Sequence, residues 1–255
     1  MYRRKRWTTI ERDLRAEKGP LLAGVDEVGR GPIAGPVVAC AVIMPAGMAA
    51  IRGVDDSKLL THAERVKLAG RIRERSIAFA LGAASVREID TINIYQASVL
   101  AMSRALKRLR VQPDHVVIDG RRMRTLPVPH TAVVHGDARC HSIACASILA
   151  KVTRDLLMTR LGRRYPHYIW DHNAGYTTRD HVRGLTSHGI TAHHRKSFCR
   201  ISDLLLELEH QSEMEDLETG ALDDVGVPDE GDLGDELIVD ALNAEELEQE
   251  LDRHI

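Results

Sequence analysis

The 255-residue sequence has no apolar run long enough to cross a bilayer: its longest, Val37 to Met44, is eight residues, where a spanning helix needs about 20. A transmembrane helix is excluded. An export signal is missing too, because Thr8 to Pro20, behind Arg3 and Arg4, alternates charges where an apolar segment should stand. The expected location is the cytoplasm. No CxxC pair occurs among Cys40, Cys140, Cys145 and Cys199, and a reducing compartment leaves four free thiols as the expectation. There is no internal repeat. What remains, 44% hydrophobic and 28% charged residues, is the composition of a soluble globular chain able to bury a core.

The net charge of −2 conceals an uneven distribution. From Met1 to Leu206, 34 Lys and Arg stand against 18 Asp and Glu, a balance of +16; from Glu207 to Ile255, one Arg stands against 19 acids, a balance of −18. A body this basic suits a polyanionic partner, because neutralised phosphates release counterions. It equally suits helices whose Lys and Arg face water. The chain divides into a basic N-terminal segment (1–20), a folded domain (21–206) and an acidic tail (207–255). The tail has no aromatic residue and five Gly or Pro between Gly220 and Gly234, so it is expected to be disordered or loosely helical, with Ala244 to Leu251 as its one amphipathic stretch.

Periodicity predicts strands at Leu21–Val25, Val37–Met44, Ile77–Val86, His115–Ile118 and Thr131–His135. Helical recurrence follows Asp55-Asp56-Ser57, which offers N-cap chemistry, and continues through Val66, Leu68 and Ile72. Further helices are predicted at Glu88–Leu109, Ser142–Leu161, Arg179–Ser187 and Ser197–Leu206. Three strands close in sequence, then strands separated by long helices, predict an α/β sheet with both antiparallel and parallel pairs.

The strongest local signal is Gly24-Val25-Asp26-Glu27-Val28-Gly29-Arg30-Gly31-Pro32. Adjacent carboxylates ending a buried strand oppose each other's ionisation unless cations or hydrogen bonds compensate. Gly24 and Gly29 have the GxxxxG spacing of a phosphate-binding loop. However, Arg30-Gly31 replaces the Lys-Ser/Thr pair that would touch phosphate and magnesium, and two acids inside the loop would repel phosphate, so that reading is rejected. A plain tight turn is the alternative. Asp119 closes an apolar strand before Gly120, at a sheet edge where a ligand can approach. Asp155 lies in a helix on which Ser147, Lys151 and Asp155 recur every four residues; alone, it reads as a solvated residue paired with Lys151. Together the acids suit hard divalent cations, and two such ions about 4 Å apart can activate a water and stabilise a leaving oxygen.

These segments, with Asp56-Ser57-Lys58-Leu59, Val117-Ile118-Asp119-Gly120 and the stretch from Ala146 to Asp155, closely resemble type 2 ribonuclease H, the bacterial ribonuclease HII family, in order and spacing. The resemblance continues through Gly175-Tyr176-Thr177-Thr178 and His181 to His193-His194-Arg195-Lys196-Ser197-Phe198, covering about Leu21 to Phe198. It implies an RNase H-like mixed sheet flanked by helices, with a helical C-terminal part. It also implies an endonuclease that hydrolyses the RNA strand of RNA/DNA hybrids and incises at single ribonucleotides in duplex DNA, leaving 5′-phosphate and 3′-hydroxyl ends. By motif match, Asp26, Glu27, Asp119 and Asp155 would be the catalytic, metal-binding carboxylates, with Mn²⁺ or Mg²⁺ as cofactor. Gly29, Arg30 and Gly31 resemble the segment that reads the ribose 2′-hydroxyl. Tyr176 matches a tyrosine that stacks near the RNA-to-DNA junction, and Lys58 matches a position near backbone phosphate. The chain departs from the family pattern at Ala174 and Thr177, which flank the Gly-Tyr pair.

Other features stay open at this level. His167, His172, His181, His188, His193 and His194 lack finger spacing and are expected to be surface or substrate-facing groups, with no zinc site. Trp7, Tyr165, Tyr168 and Trp170 fit either base stacking or packing. Arg121, Arg122 and Arg124 follow Asp119 and fit either phosphate contact or an exposed loop. The acidic tail fits a solubilising, disordered extension first and, as the alternative, a segment that competes with nucleic acid for the basic body; a monomer is expected. The alternatives are another RNase H-fold nuclease or strand transferase, or a non-catalytic nucleic-acid-binding module.

Overall fold

The computed structural model describes residues 7, 9–199, 201 and 203. The acidic tail, its Ala244 to Leu251 stretch and the end of the helix expected at Ser197–Leu206 lie outside them. Among the described residues, five strands form one mixed sheet: β1 (Leu22–Val28), β2 (Val37–Ile43), β3 (Ala78–Ala84), β4 (His115–Asp119) and β5 (His130–Val133), in the order β3-β2-β1-β4-β5. β1 pairs antiparallel with β2 and β2 with β3, whereas β1–β4 and β4–β5 are parallel. Central β1 therefore joins the antiparallel half to the parallel half. It runs three residues further than its apolar pattern suggested, because Asp26, Glu27 and Val28 stay paired to Cys40, Ala39 and Val38.

Side chains alternate across this sheet. Ala23, Val25, Ala39, Ala41 and Ile43 face α3 (Val86–Arg108), burying its Ala97, Ala101, Met102 and Ala105. Cys40 and Val42 face the other way, toward α2 (His62–Arg75) and α5 (His141–Arg164). Small residues let α5 ride close: a Cβ on Gly24 of β1 would lie 2.4 Å from the Ser142 carbonyl carbon, a contact no side chain tolerates. This approach brings the α5 side chains against the acid-bearing end of β1.

Local chemistry sets the helix boundaries. Thr61 and Glu64 form a capping box on α2, and Ser85 and Glu88 form one on α3, each satisfying otherwise unpaired N–H groups. Asp56 caps only a short 3-10 turn, Ser57–Leu59, so the N-cap expected at 55–57 does not begin α2. α3 is interrupted at Asn93 (φ 66°), whose side chain accepts from Tyr95 and Gln96 N–H and so starts the second segment. An unexpected helix, α1 (Ile10–Lys18), packs Ile10 and Leu14 against Leu22, Val117 and Ile143. Its Glu11 accepts from the N–H groups of His141 (2.8 Å) and Ser142 (3.0 Å), placing a negative charge on the start of α5.

Three further helices among the described residues are α4 (Gly136–Arg139), α6 (Trp170–Asn173) and α7 (Arg179–His188). They correct the reading of the histidines. His167, His172 and His188 are exposed, but His181, His193 and His194 are buried with Trp170 and Tyr168 in a cluster behind α5. Packing, rather than base stacking, occupies Trp170 and Tyr168. All four cysteines are free thiols.

Candidate active site

Because β1 and β4 are parallel, their carboxyl ends share one sheet edge. Val25 pairs with Ile118, so the next residues, Asp26 and Asp119, end side by side. Asp26 is buried at 7% exposure and points toward α5, where the Ser147 hydroxyl donates to it. Ser147 in turn meets the Ser57 hydroxyl at 3.0 Å. Burial, then repulsion from Glu27 and Asp119, pushes the Asp26 carboxyl well above the usual carboxylate range. Burial also raises Glu27, opposed by Arg30, whose guanidinium reaches it at 3.1 Å, and reinforced by Asp119. The Gly136 N–H donates to Asp119 at 2.6 Å.

Asp155 is held differently. Lys151 binds it at 2.5 Å and Arg65 at 3.4 Å, the i,i+4 pair that its helical spacing suggested. It stands two turns of α5 beyond Ser147, about 12 Å along the axis, and Arg65 ties it to the Ser57–Leu60 segment by also donating to the Ser57 and Leu60 carbonyls. Beside Asp26 and Glu27, the further carboxylate close to Asp119 is Asp137 of α4. Burial, then repulsion from Asp119 and Asp56, raises Asp137, while Lys58 opposes the rise. Lys58 thus stands beside this acidic group on an exposed turn. Sequence reasoning finds no signal for Asp137 or Arg65 and places Ser147 only on a helix face with Lys151 and Asp155, because their settings depend on contacts between segments about 20 to 120 residues apart.

The glycine-arginine-glycine turn lies next to the acids and is held from behind by two buried arginines. Arg195 donates to the carbonyls of Gly29 (2.6 Å), Arg30 (3.1 Å) and Gly35 (2.7 and 3.0 Å). Arg154 donates to Ala34 (3.1 Å), Pro36 (2.9 Å) and Ala174 (2.9 Å). Burial lowers the two guanidinium pKa values to about 9 and about 10, still charged at neutral pH. In a trans peptide the N–H lies opposite the C=O. With the Gly29 and Arg30 carbonyls turned in to Arg195, the N–H groups of Arg30 and Gly31 turn out to the exposed surface. Gly29 (φ 93°) cannot be replaced without collision: a Cβ there would lie 2.2 Å from Arg154 Nε.

Tyr176 completes the turn's surroundings. It is 48% exposed, with its ring edge 3.6 Å from the position of a Gly31 Cβ. A buried relay fixes its backbone. Thr191 N–H donates to His194 Nδ1 (2.9 Å), so His194 Nε2–H donates to His181 Nε2 (3.1 Å), which also accepts from Trp170 Nε1–H (3.0 Å). His181 Nδ1–H is then left to donate to the Tyr176 carbonyl at 2.9 Å. Both imidazoles are neutral in this pattern, and burial lowers His194 to about 3 and His193 to about 4.

Among the described residues, no group of three or more His, Cys, Asp or Glu is drawn together closely enough to hold an ion as it stands. The donor chemistry nevertheless fits one. Asp26, Glu27 and Asp119 offer only oxygen, which hard divalent cations prefer, and the repulsion that raises Asp26 is what a cation relieves.

The fold is that of the RNase H enzymes. The ribonuclease H2 of Pyrococcus horikoshii superposes with a TM-score of 0.62 at 23% identity, covering 74% of this chain and 98% of that one. Bst-RNase HIII in complex with Mn²⁺ gives 0.58 at 19% identity, covering 76% and 72%. At these identities the likeness concerns the fold. The family follows from sequence: the model described as Ribonuclease HII matches residues 23–201. The chain is 53% identical over 196 residues to a ribonuclease HII of Granulibacter bethesdensis, covering 75% of this chain and 90% of that protein. It is 51% identical over 181 residues to that of Thermosynechococcus vestitus, covering 70% and 84%. The chain belongs to the ribonuclease HII family.

Proposed function

We propose that the protein incises duplex DNA at embedded ribonucleotides as well as hydrolysing the RNA strand of RNA/DNA hybrids, leaving 5′-phosphate and 3′-hydroxyl ends. It is a divalent-metal-dependent endonuclease of the ribonuclease H type. The reading rests on one juxtaposition: the Asp26-Glu27-Asp119 edge lies directly beside the outward N–H groups of Arg30 and Gly31.

Each residue's role follows from its setting. Asp26, Glu27 and Asp119 hold Mn²⁺ or Mg²⁺, which when bound supplies Lewis acidity to the attacking water and the departing 3′ oxygen. Ser147 and the Glu27 N–H (2.8 Å) fix the Asp26 carboxylate, and Gly136 fixes Asp119. Of the two remaining acids, Asp137 is placed to complete the set beside Asp119. Asp155, expected there by motif, instead anchors Lys151 and Arg65. Arg30 and Gly31 N–H meet the ribose 2′-hydroxyl, Tyr176 stacks on the adjoining nucleotide, and Lys58 contacts backbone phosphate. No helix among the described residues is long and apolar enough to cross a membrane; a cytoplasmic monomer is proposed.

The test is cleavage of a DNA duplex carrying one ribonucleotide, beside its DNA-only counterpart, with Mn²⁺, Mg²⁺ or chelator. Metal-dependent incision only at the ribonucleotide, on its 5′ side, is expected. Cutting of both duplexes would point to a less selective nuclease, and binding without cutting to a non-catalytic module.

A further inference from the structure

Two residues past Asp119 the chain carries three arginines, Arg121, Arg122 and Arg124, that no part of the site described above uses. The pattern Arg-Arg-Met-Arg-Thr-Leu is built into a fixed loop. Met123 and Leu126, each 5% exposed, enter the core on the α3 face of the sheet. The Gly120 N–H donates to the Val133 carbonyl at 3.0 Å and the Leu126 N–H to the Met123 carbonyl at 3.1 Å. His130 splints the loop, accepting from Met123 N–H at Nε2 (3.3 Å) and donating from Nδ1 to the Val128 carbonyl (2.8 Å). With the apolar anchors turned in, all three arginines are exposed.

Charge gives the loop its use. Arg30 is engaged by Glu27, and Lys151 and Arg65 by Asp155. Among the described residues, no carboxylate pairs with Arg121, Arg122 or Arg124. Arg121 follows Asp119 by two Cα steps, so its Cα lies within about 8 Å of the acid's, and an arginine side chain extends further still. A polyphosphate strand laid on Asp26, Glu27, Asp119 and Asp137 meets repulsion there, and this loop adds to Lys58 three further cations that no carboxylate among the described residues engages.

We propose that the loop 120–126 is a phosphate clamp that grips the sugar–phosphate backbone of duplex nucleic acid beside the cleaved nucleotide. It sets register on the duplex without reading its sequence. The inference rests on the nuclease reading but is tested apart from it. The full-length chain with Arg121, Arg122 and Arg124 all changed to Gln is compared with wild type for binding to a DNA-only duplex in chelator, from 50 to 200 mM salt. A second triple variant, Lys107, Arg108 and Arg110 to Gln at the far end of α3, removes the same charge elsewhere.

Three lost phosphate contacts lower the slope of log affinity against log salt by about 2.7, and each single Arg→Gln lowers it by about 0.9. Across that fourfold salt range, the triple variant's affinity then falls roughly 40-fold less than that of wild type. The α3 variant keeps the wild-type slope, and the loop variants keep the wild-type melting temperature. An unchanged slope in the loop variant, or an equal fall in the α3 variant, would overturn the clamp while wild-type incision at a ribonucleotide left the nuclease reading intact. A wild-type chain that neither bound nor cut nucleic acid would overturn both.

Discussion

Around Asp26, Glu27 and Asp119 the protein buries negative charge against negative charge, whereas around Gly29–Pro36 it buries the positive charge of Arg154 and Arg195 against carbonyl oxygens that satisfy it. The carboxylate half is electrostatically incomplete by itself, and in the proposed function a bound cation completes it. The turn half is finished before any ligand arrives, so its N–H groups wait in position. A nuclease that must find one ribonucleotide among many deoxyribonucleotides gains from this division. On the proposed reading, the recognition surface is prebuilt and the reactive centre is assembled by metal and substrate together.

The largest effect is expected at the incomplete half. Asp119→Asn keeps an acceptor for the Gly136 N–H but removes a charge, so kcat should fall by more than ~100-fold with substrate affinity largely kept. Steady-state incision alongside equilibrium binding checks this; equal losses in both would mean that Asp119 serves structure. Asp137→Asn should cost about 10- to 100-fold in kcat, whereas Asp155→Asn should cost less than about tenfold. The reverse ranking would place the fourth carboxylate on α5.

The satisfied half breaks through stability. Arg195→Met leaves the Gly29, Arg30 and Gly35 carbonyls without their donor in a buried setting, and unfolding free energy should drop by about 3 kcal/mol. Denaturant unfolding reads this directly. A drop below ~1 kcal/mol would mean that the turn holds itself.

The two halves also respond to acid in opposite directions. His193 and His194 are buried neutral, at about 4 and about 3, below the ordinary histidine value near 6.5. The unfolded chain therefore binds more protons between pH ~6.5 and ~4, and these two groups make stability fall as pH drops through that window, by up to about 1.4 kcal/mol per unit each. Asp26 is raised instead, so its contribution is present in acid and is lost as pH rises above the ordinary carboxylate range. Asp26→Asn, which can still accept from the Glu27 N–H and meet Ser147, should stabilise the metal-free protein at neutral pH by about 1 kcal/mol while abolishing incision. A destabilised variant would show that Asp26 is compensated within the protein.

The same contrast separates what the sequence made legible from what it did not. Strand alternation and helical recurrence locate all five strands and the helices α3, α5 and α7 to within a few residues, because each is a local pattern with its own period. Asp26, Glu27 and Asp119 stood out because acids are anomalous at the ends of apolar strands. β1 was read too short for that very reason: apolarity ends at Val25, but pairing to β2 carries the strand through the acids. Asp137, the buried guanidinium groups and the His181–His194 relay have no local period. They become visible only when α4, α5 and the residues around His194 fold back on the sheet edge, and histidines that look polar in sequence turn out to be packed against Trp170. The kink at Asn93 is hidden for a related reason, since apolar residues recur through α3 on both sides of it.

The most direct test of the division between a prebuilt recognition surface and an incomplete catalytic centre is the binding of full-length Asp119→Asn to a DNA duplex carrying one ribonucleotide and to its DNA-only counterpart, in chelator. Retained preference for the ribonucleotide, lost again when Arg195→Met is added, is the expected result. Equal binding of the two duplexes by Asp119→Asn alone would mean that discrimination depends on the catalytic carboxylates, and would contradict the division.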